Sequence, residues 1–401
     1  MTKRYSAAEE YEMRARVSIS ELLNRSAVAH WWCTHISQCM PTAVIQGGSV
    51  MPLEKAPRAE IWNVRAETHL EPLPLSDFLQ HPGSGARGYI AVHAGRIVAE
   101  AYPDLRPHDM HMWASCAKPT AGLVIELLIE DGIIDDSQPF GTYMPEFAGT
   151  DWAGVRIADA MDMTTGMDCE ENDETRADPS SNAIRAFMAE FSEPYGDKVE
   201  RLPDVLKNVR QVDSPGHKFE YSSPTTQMLV LLAESVTNCK WTEFFAQRVW
   251  DHVGAEGPFL QHLTPDGIAL AHGVTSGCLR NLARFGMLYT PSWHNTANKQ
   301  IVSESILSRI RTPRRSRGFF MRGFDGPVFR DYLDDETMIS NSRQWDAVWE
   351  DGDMFKSGFM GQGLYVSPGR DLVIAYFSTI PEMYMARYLR PVAGLFPLNG
   401  R

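Results

Sequence analysis

The chain has 401 residues, 43% of them hydrophobic, and a formal net charge of −13 at pH 7. This is enough apolar material for a large core, arranged as two domains or as one domain with a substantial insertion. The acidic balance argues against a nucleic-acid or anionic-membrane partner, because either calls for a basic face.

Residues 7 to 25 have helical composition, with an apolar stripe at Tyr11, Ala15, Ile19, Leu22 and Leu23 that predicts a packing helix. Residues 40 to 85 are rich in proline (Pro41, Pro52, Pro57, Pro72, Pro74, Pro82) and poor in periodicity, so an extended segment wrapped over the body is expected, without chemistry. Gly88 to His93 and Arg96 to Ala101, separated by Ala94-Gly95, read as two strands of a tight hairpin. A second hairpin is expected from Gly363 to Ser367 and Leu372 to Phe377, around the turn Pro368-Gly369-Arg370-Asp371. Two such hairpins predict one antiparallel sheet. The stretch between them, about residues 106 to 345, is mainly helical in pattern, including Asn182 to Phe191, Thr225 to Val236 and Leu279 to Tyr289.

Within that stretch lies Ser115-Cys116-Ala117-Lys118, followed by Pro119 and the apolar run Ala121, Leu123, Val124, Ile125, Leu127 and Leu128. Proline is tolerated only in a helix's first turn, so a buried helix should begin at about Ser115, with Ser115 as its cap, and end at Asp131-Gly132. Three residues apart on one helix face, Lys118 reaches the Ser115 oxygen. A lysine taken out of water at the positive end of a helix dipole is expected to lose its charge readily and accept the serine proton. Pro215 to Ser223 reads as a turn, a short strand and a helix start, with Ser223 as cap and Pro224 at the first helical position. It holds Tyr221 at a junction. Beside a lysine cation the phenol is expected to have a lowered pKa, serving as base towards Ser115 and then as acid towards a leaving group. Lys356-Ser357-Gly358, just before the second hairpin, brings a cation, a hydroxyl and an open backbone to the sheet edge.

In this order the three segments resemble the serine β-lactamase and penicillin-recognising superfamily, whose pattern is S-x-x-K, then Y-x-N/S, then K/H-[TS]-G. Within it the chain is most similar to the β-lactamase-like esterases and the 6-aminohexanoate-dimer hydrolases. The resemblance extends to Met161 to Gly166, Leu282 to Gly286 and Gly361 to Val366. It departs at Ser223, where many β-lactamases have asparagine, and at Pro119, where a small polar residue is common.

The resemblance implies an α+β fold of the β-lactamase/transpeptidase type: an antiparallel sheet flanked by helices, plus an inserted helical domain. Residues 1–105 and 256–401 would form the sheet domain and 106–255 the helical one, with the active site in the cleft between them. It implies Ser115 as acylated nucleophile, Lys118 as its base, Tyr221 as proton relay, and Ser223, Lys356, Ser357 and Gly358 as substrate-binding residues. The Ser115 N–H and one from the strand following Gly358 would form an oxyanion hole. Lys356 invites a substrate carboxylate at the sheet edge.

The expected function is thus a serine hydrolase of a small carboxylic amide or ester, needing no cofactor. The alternatives are an acyltransferase using the same acyl-enzyme and a non-catalytic ligand-binding protein. Homodimerisation is left open. Met1-Thr2-Lys3-Arg4, followed by Glu9, Glu10 and Glu12, shows no signal-peptide pattern, and no run of about 18 apolar residues occurs, so a cytoplasmic protein without a membrane partner is expected.

Other motifs point elsewhere only weakly. The six cysteines form no C-x-x-C pair and read as reduced thiols, and His108 and His111 lack a third ligand for metal. The acidic run from Asp168 to Asp178 reads as a solvated loop, with attraction of a cationic substrate end as the lesser alternative.

Overall fold

The computed structural model describes residues 5–333 and 337–398. Its main sheet has seven strands, all antiparallel, in the order Met338–Ser342, Trp345–Trp349, Met354–Gly358, Gln362–Ser367, Leu372–Ser378, Ala86–His93, Arg96–Ala101. Both expected hairpins are present and meet between the fifth and sixth strands, where Tyr376 pairs with Tyr89. The first turns on Ala94 and Gly95 with φ of 47° and 73°, the double left-handed conformation that matches strand twist in a two-residue hairpin.

The strands read as nearly continuous apolar runs because both faces are covered. In Leu372–Ser378, Leu372, Ile374 and Tyr376 enter one core cluster, while Val373, Ala375 and Phe377 enter the other. The helix Leu279–Met287 covers the second face so closely that a Cβ at Gly286 would lie 2.7 Å from Val373. The first face is covered by the helices Leu75–Gln80 and Leu389–Ala393. The former lies inside the segment expected to be merely extended, and buries Leu75, Phe78 and Leu79.

A second sheet, unforeseen from the sequence, has four short strands in the order Thr42–Ile45, Phe259–His262, Thr275–Gly277, His111–Met112. The stretch from 106 to 345 is therefore not helical throughout. Its expected helices form as Asn182–Glu190, Ser223–Thr237 and Leu279–Met287. The single N-terminal helix is instead two, Ala7–Arg16 and Ile19–Leu23, because the Ser18 side chain caps a fresh start. Ile19 and Leu22 are buried, whereas Tyr11 is 70% exposed, so the stripe holds only in its second half.

Candidate active site

Two strands of the small sheet lead into the turn that carries Ser115. Met112 pairs with Ser276, and the Trp113 N–H donates to the Thr275 carbonyl at 2.9 Å. The Trp113 ring is locked edge-on against Phe259. Ala114 then takes φ of 50°, a left-handed conformation that costs an alanine roughly 1 kcal/mol and turns the chain sharply. Of residues 111 to 120, Ser115 alone is not fully buried, and it faces the cleft.

Ala114–Ala117 is one turn of 3-10 helix that runs into the α-helix Lys118–Glu130, with Pro119 in its first turn. No side chain caps this start, so the expected capping role of Ser115 does not hold. Its hydroxyl is directed to Lys118 instead. The helix ends at Asp131, followed by Gly132 at φ of 70°, as the sequence indicates.

Lys118 is 0% exposed, and its Nζ meets three oxygens: Ser115 Oγ at 3.2 Å, Ser223 Oγ at 2.8 Å and the His272 carbonyl at 2.9 Å. None of the three is a carboxylate. Burial therefore lowers its pKa to about 7, with nearby Lys356 adding to the effect and Glu171 opposing it. In the neutral amine, two N–H groups serve His272 and Ser223, which leaves the lone pair for the Ser115 hydroxyl proton.

Ser223 is free for this role because the helix Ser223–Thr237 is capped one residue earlier than expected. Ser222 Oγ accepts from the Thr225 N–H at 3.1 Å, and Ser223 is already helical. The Ser223 N–H donates to Glu171 at 2.6 Å. Glu171 is buried, with a pKa lowered because Lys118 and Arg176 outweigh the effect of burial. The acidic run is thus divided: Asp173, Glu174 and Asp178 are exposed as expected, though Asp173–Ala177 is a short helix and not a loop, while Glu171 is buried in the cavity wall that Asp173 also borders.

Tyr221 stands between two lysines, with Lys118 Nζ 5.0 Å and Lys356 Nζ 4.7 Å from its ring centre. Its hydroxyl accepts from Lys356 at 3.2 Å. The expected lowering of its pKa does not occur. Burial, reinforced by Asp346 and Glu171, pushes it well above the ordinary tyrosine value, so the phenol keeps its proton.

Lys356 lies on Met354–Gly358, and Asp346 on the neighbouring strand Trp345–Trp349. Asp346 accepts from Lys356 at 2.5 Å through one oxygen, and from the Ser357 N–H and Oγ at 2.8 and 2.6 Å through the other. Gly358 packs against the nucleophile turn: a Cβ there would lie 3.0 Å from both the Ala114 Cβ and the Trp113 carbonyl. The structure therefore brings together Ser115, Lys118, Tyr221, Ser223, Lys356, Ser357 and Gly358 at one end of the main sheet. Ser115, Tyr221, Ser223, Ser357 and Gly358 line a cavity of about 850 Å³, while Lys118 and Lys356 lie behind its surface.

Sequence reasoning missed three participants. Asp346 carried a signal, a lone carboxylate inside the apolar strand Trp345–Trp349, near the lysine motif. Glu171 was hidden among its acidic neighbours. His272 acts through its carbonyl and has no signature, while its ring faces Glu190 at 3.0 Å.

Among the described residues no group of three or more His, Cys, Asp or Glu is placed to hold a metal ion. His111 is buried and stacked on Phe377. Among the same residues no helix is long and apolar enough to cross a membrane.

A helix-covered antiparallel sheet with a serine–lysine–tyrosine cluster at its end defines a serine hydrolase of the β-lactamase-like class. The chain belongs to the Beta-lactamase family, whose sequence pattern matches residues 79–393. It is 25% identical over 358 residues to the 6-aminohexanoate-dimer hydrolase of Paenarthrobacter ureafaciens, covering 88% of this chain and 86% of that protein. Among solved structures, it is similar to one from Bacillus anthracis that carries the provisional name of 6-aminohexanoate-dimer hydrolase. The TM-score is 0.77 at 21% identity, over 95% of this chain and 97% of that one. EstCE1, described as a hydrolase with promiscuous acyltransferase activity, matches with a TM-score of 0.55 at 14% identity, over 77% of this chain and 93% of its own.

Proposed function

We propose that the protein hydrolyses a small carboxylic amide or ester through an acyl-enzyme on Ser115, in a cleft between a sheet domain (1–105, 256–401) and a helical domain (106–255). The observation that carries this reading is a fully buried lysine, its pKa brought to about 7, with its nitrogen 3.2 Å from the serine oxygen. In acylation, the Ser115 proton passes to Lys118 as Oγ attacks the carbonyl carbon. The tetrahedral oxyanion is held by the Ser115 N–H and by that of Phe359, which follows Gly358 where the strand meets the nucleophile turn. The leaving group departs with the Tyr221 proton. The resulting phenolate is stabilised by protonated Lys118 and by Lys356 on its two sides. In deacylation, the attacking water gives its proton to Tyr221, and Lys118 returns its own to Ser115 as the acid is expelled. Every proton is thereby restored.

The 6-aminohexanoate dimer named for the relative is a natural first member of the substrate panel. Acyl transfer uses the same residues, and the acyltransferase activity named for EstCE1 favours testing it by product analysis with an added alcohol. The deciding measurement is intact mass after treatment with a fluorophosphonate, on the native protein and on Ser115→Ala. One adduct on Ser115, absent from the variant, is the expected result. No adduct, or one on another residue, overturns the reading.

A further inference from the structure

The third motif offers less charge to a ligand than its residues suggest. Lys356 is 0% exposed and its ammonium contacts Asp346 at 2.5 Å and the Tyr221 hydroxyl at 3.2 Å. Ser357, which does face the cavity, directs both its N–H and its hydroxyl into the other oxygen of the same carboxylate. Asp346 is itself 2% exposed, so this bond is made in the dry interior, where water competes little for its partners. The sheet holds the arrangement. Ala347 pairs with Phe355 and Val348 with Met354, and continuing that register by one residue places Asp346 across from Lys356.

The rest of the cavity adds acid. Glu171, Glu190 and Asp325 line it, and one oxygen each of Glu190 and Asp325 is buried without a hydrogen-bond partner. Two guanidinium groups, Arg25 and Arg176, also reach it, the latter 3.6 Å from Glu171.

We infer that Asp346 is a specificity-determining residue: it occupies the Lys356 and Ser357 donors that a substrate carboxylate needs, so the sheet-edge subsite takes an uncharged group beside the scissile bond. An anion there would meet the Asp346 carboxylate instead of a free cation. The inference rests on the hydrolase reading for its kinetic form only, since exclusion of an anion from the cleft is also a binding property.

The kinetic test compares a carboxymethyl ester with its uncharged carbamoylmethyl counterpart, in the native protein and in Asp346→Asn. The native protein should prefer the uncharged ester by about tenfold or more in kcat/KM, and the variant should shift the ratio towards the acid by about tenfold, because the Lys356 cation and the Ser357 donors then lack an anionic partner and favour the substrate carboxylate. An Asp346 that merely supports the fold would lower both rates together. An unchanged ratio in a variant whose Ser115 still reacts with fluorophosphonate overturns the inference. Because Asp346→Asn leaves a buried cation unpaired and so destabilises the fold, a measurement on the native protein stands beside it. Thermal shifts are read with phenylacetamide and with phenylacetate. Stabilisation by the amide at about tenfold lower concentration supports the inference, and equal shifts overturn it. This measurement needs no turnover, so it is unaffected if Ser115 labelling fails and the acyl-enzyme reading falls.

Discussion

Lys118 and Lys356 are both wholly buried and flank the same tyrosine, yet the cleft treats them in opposite ways. Lys118 is given only neutral acceptors, two hydroxyls and a carbonyl, and burial brings its pKa to about 7. Lys356 is given a carboxylate 2.5 Å away. The contrast teaches that burial alone does not decide what a lysine can do. A buried ammonium without a counterion becomes a base, whereas one with a counterion becomes a fixed cation, suited to holding the Tyr221 hydroxyl.

The sharpest way to test this division is to remove the members one at a time. Ser115→Ala should lower kcat by roughly 10⁴- to 10⁶-fold, leaving only what the oxyanion donors and binding contribute. Lys118→Met, similar in volume but without a nitrogen, should cost about 10³- to 10⁴-fold, read as the rate of fluorophosphonate adduct formation on Ser115. An equal loss in Lys356→Met would break the comparison, because the two lysines would then share one role. Tyr221→Phe should slow amide hydrolysis by about 10²-fold and that of a nitrophenyl ester much less, since a good leaving group needs no proton from the phenol. Equal losses on both substrates would remove the tyrosine from that step.

The smallest expected effect concerns pH. In the proposed mechanism neutral Lys118 is the active form, so kcat/KM should rise with pH through about 7, level off above it and fall as the pH is lowered further. The Glu171 charge favours the ammonium, so Glu171→Gln should move this midpoint to lower pH, by a few tenths to about one unit. A midpoint moved upward would reverse the electrostatic argument.

Much of this was legible in the sequence because it is local. The serine–lysine spacing is fixed by helix geometry, and each hairpin announces itself by two apolar runs flanking a turn. What stayed hidden depends on partners far along the chain. The strands Thr42–Ile45, His111–Met112 and Thr275–Gly277 are too short to show a period, and only their pairing defines them. Asp346 matters because of the residue across the sheet, and Glu171 because the fold buries it while leaving Asp173 and Glu174 in water. The cap at the Tyr221 junction was misplaced by one residue, since Ser222 and Ser223 are chemically alike, and only the Ser222–Thr225 bond distinguishes them. The tyrosine's proton affinity was misjudged because the sequence showed a lysine nearby but not the depth of burial or the two carboxylates.

The pairing of Ala86–His93 with Leu372–Ser378 inside the main sheet has a kinetic consequence. The seam joins strands from opposite ends of the chain, with the nucleophile helix and the other helices of the 106–255 stretch lying between them in sequence. Closing so long a loop is entropically slow, whereas the hydrogen bonds within those helices are local and can form early. The nucleophile approaches the third motif only once this seam is in register, since a slip of one residue would turn every side chain of the strand to the other face. Refolding followed by circular dichroism should therefore run ahead of refolding followed by Ser115 labelling, and the interval between the two reports the closure of the sheet.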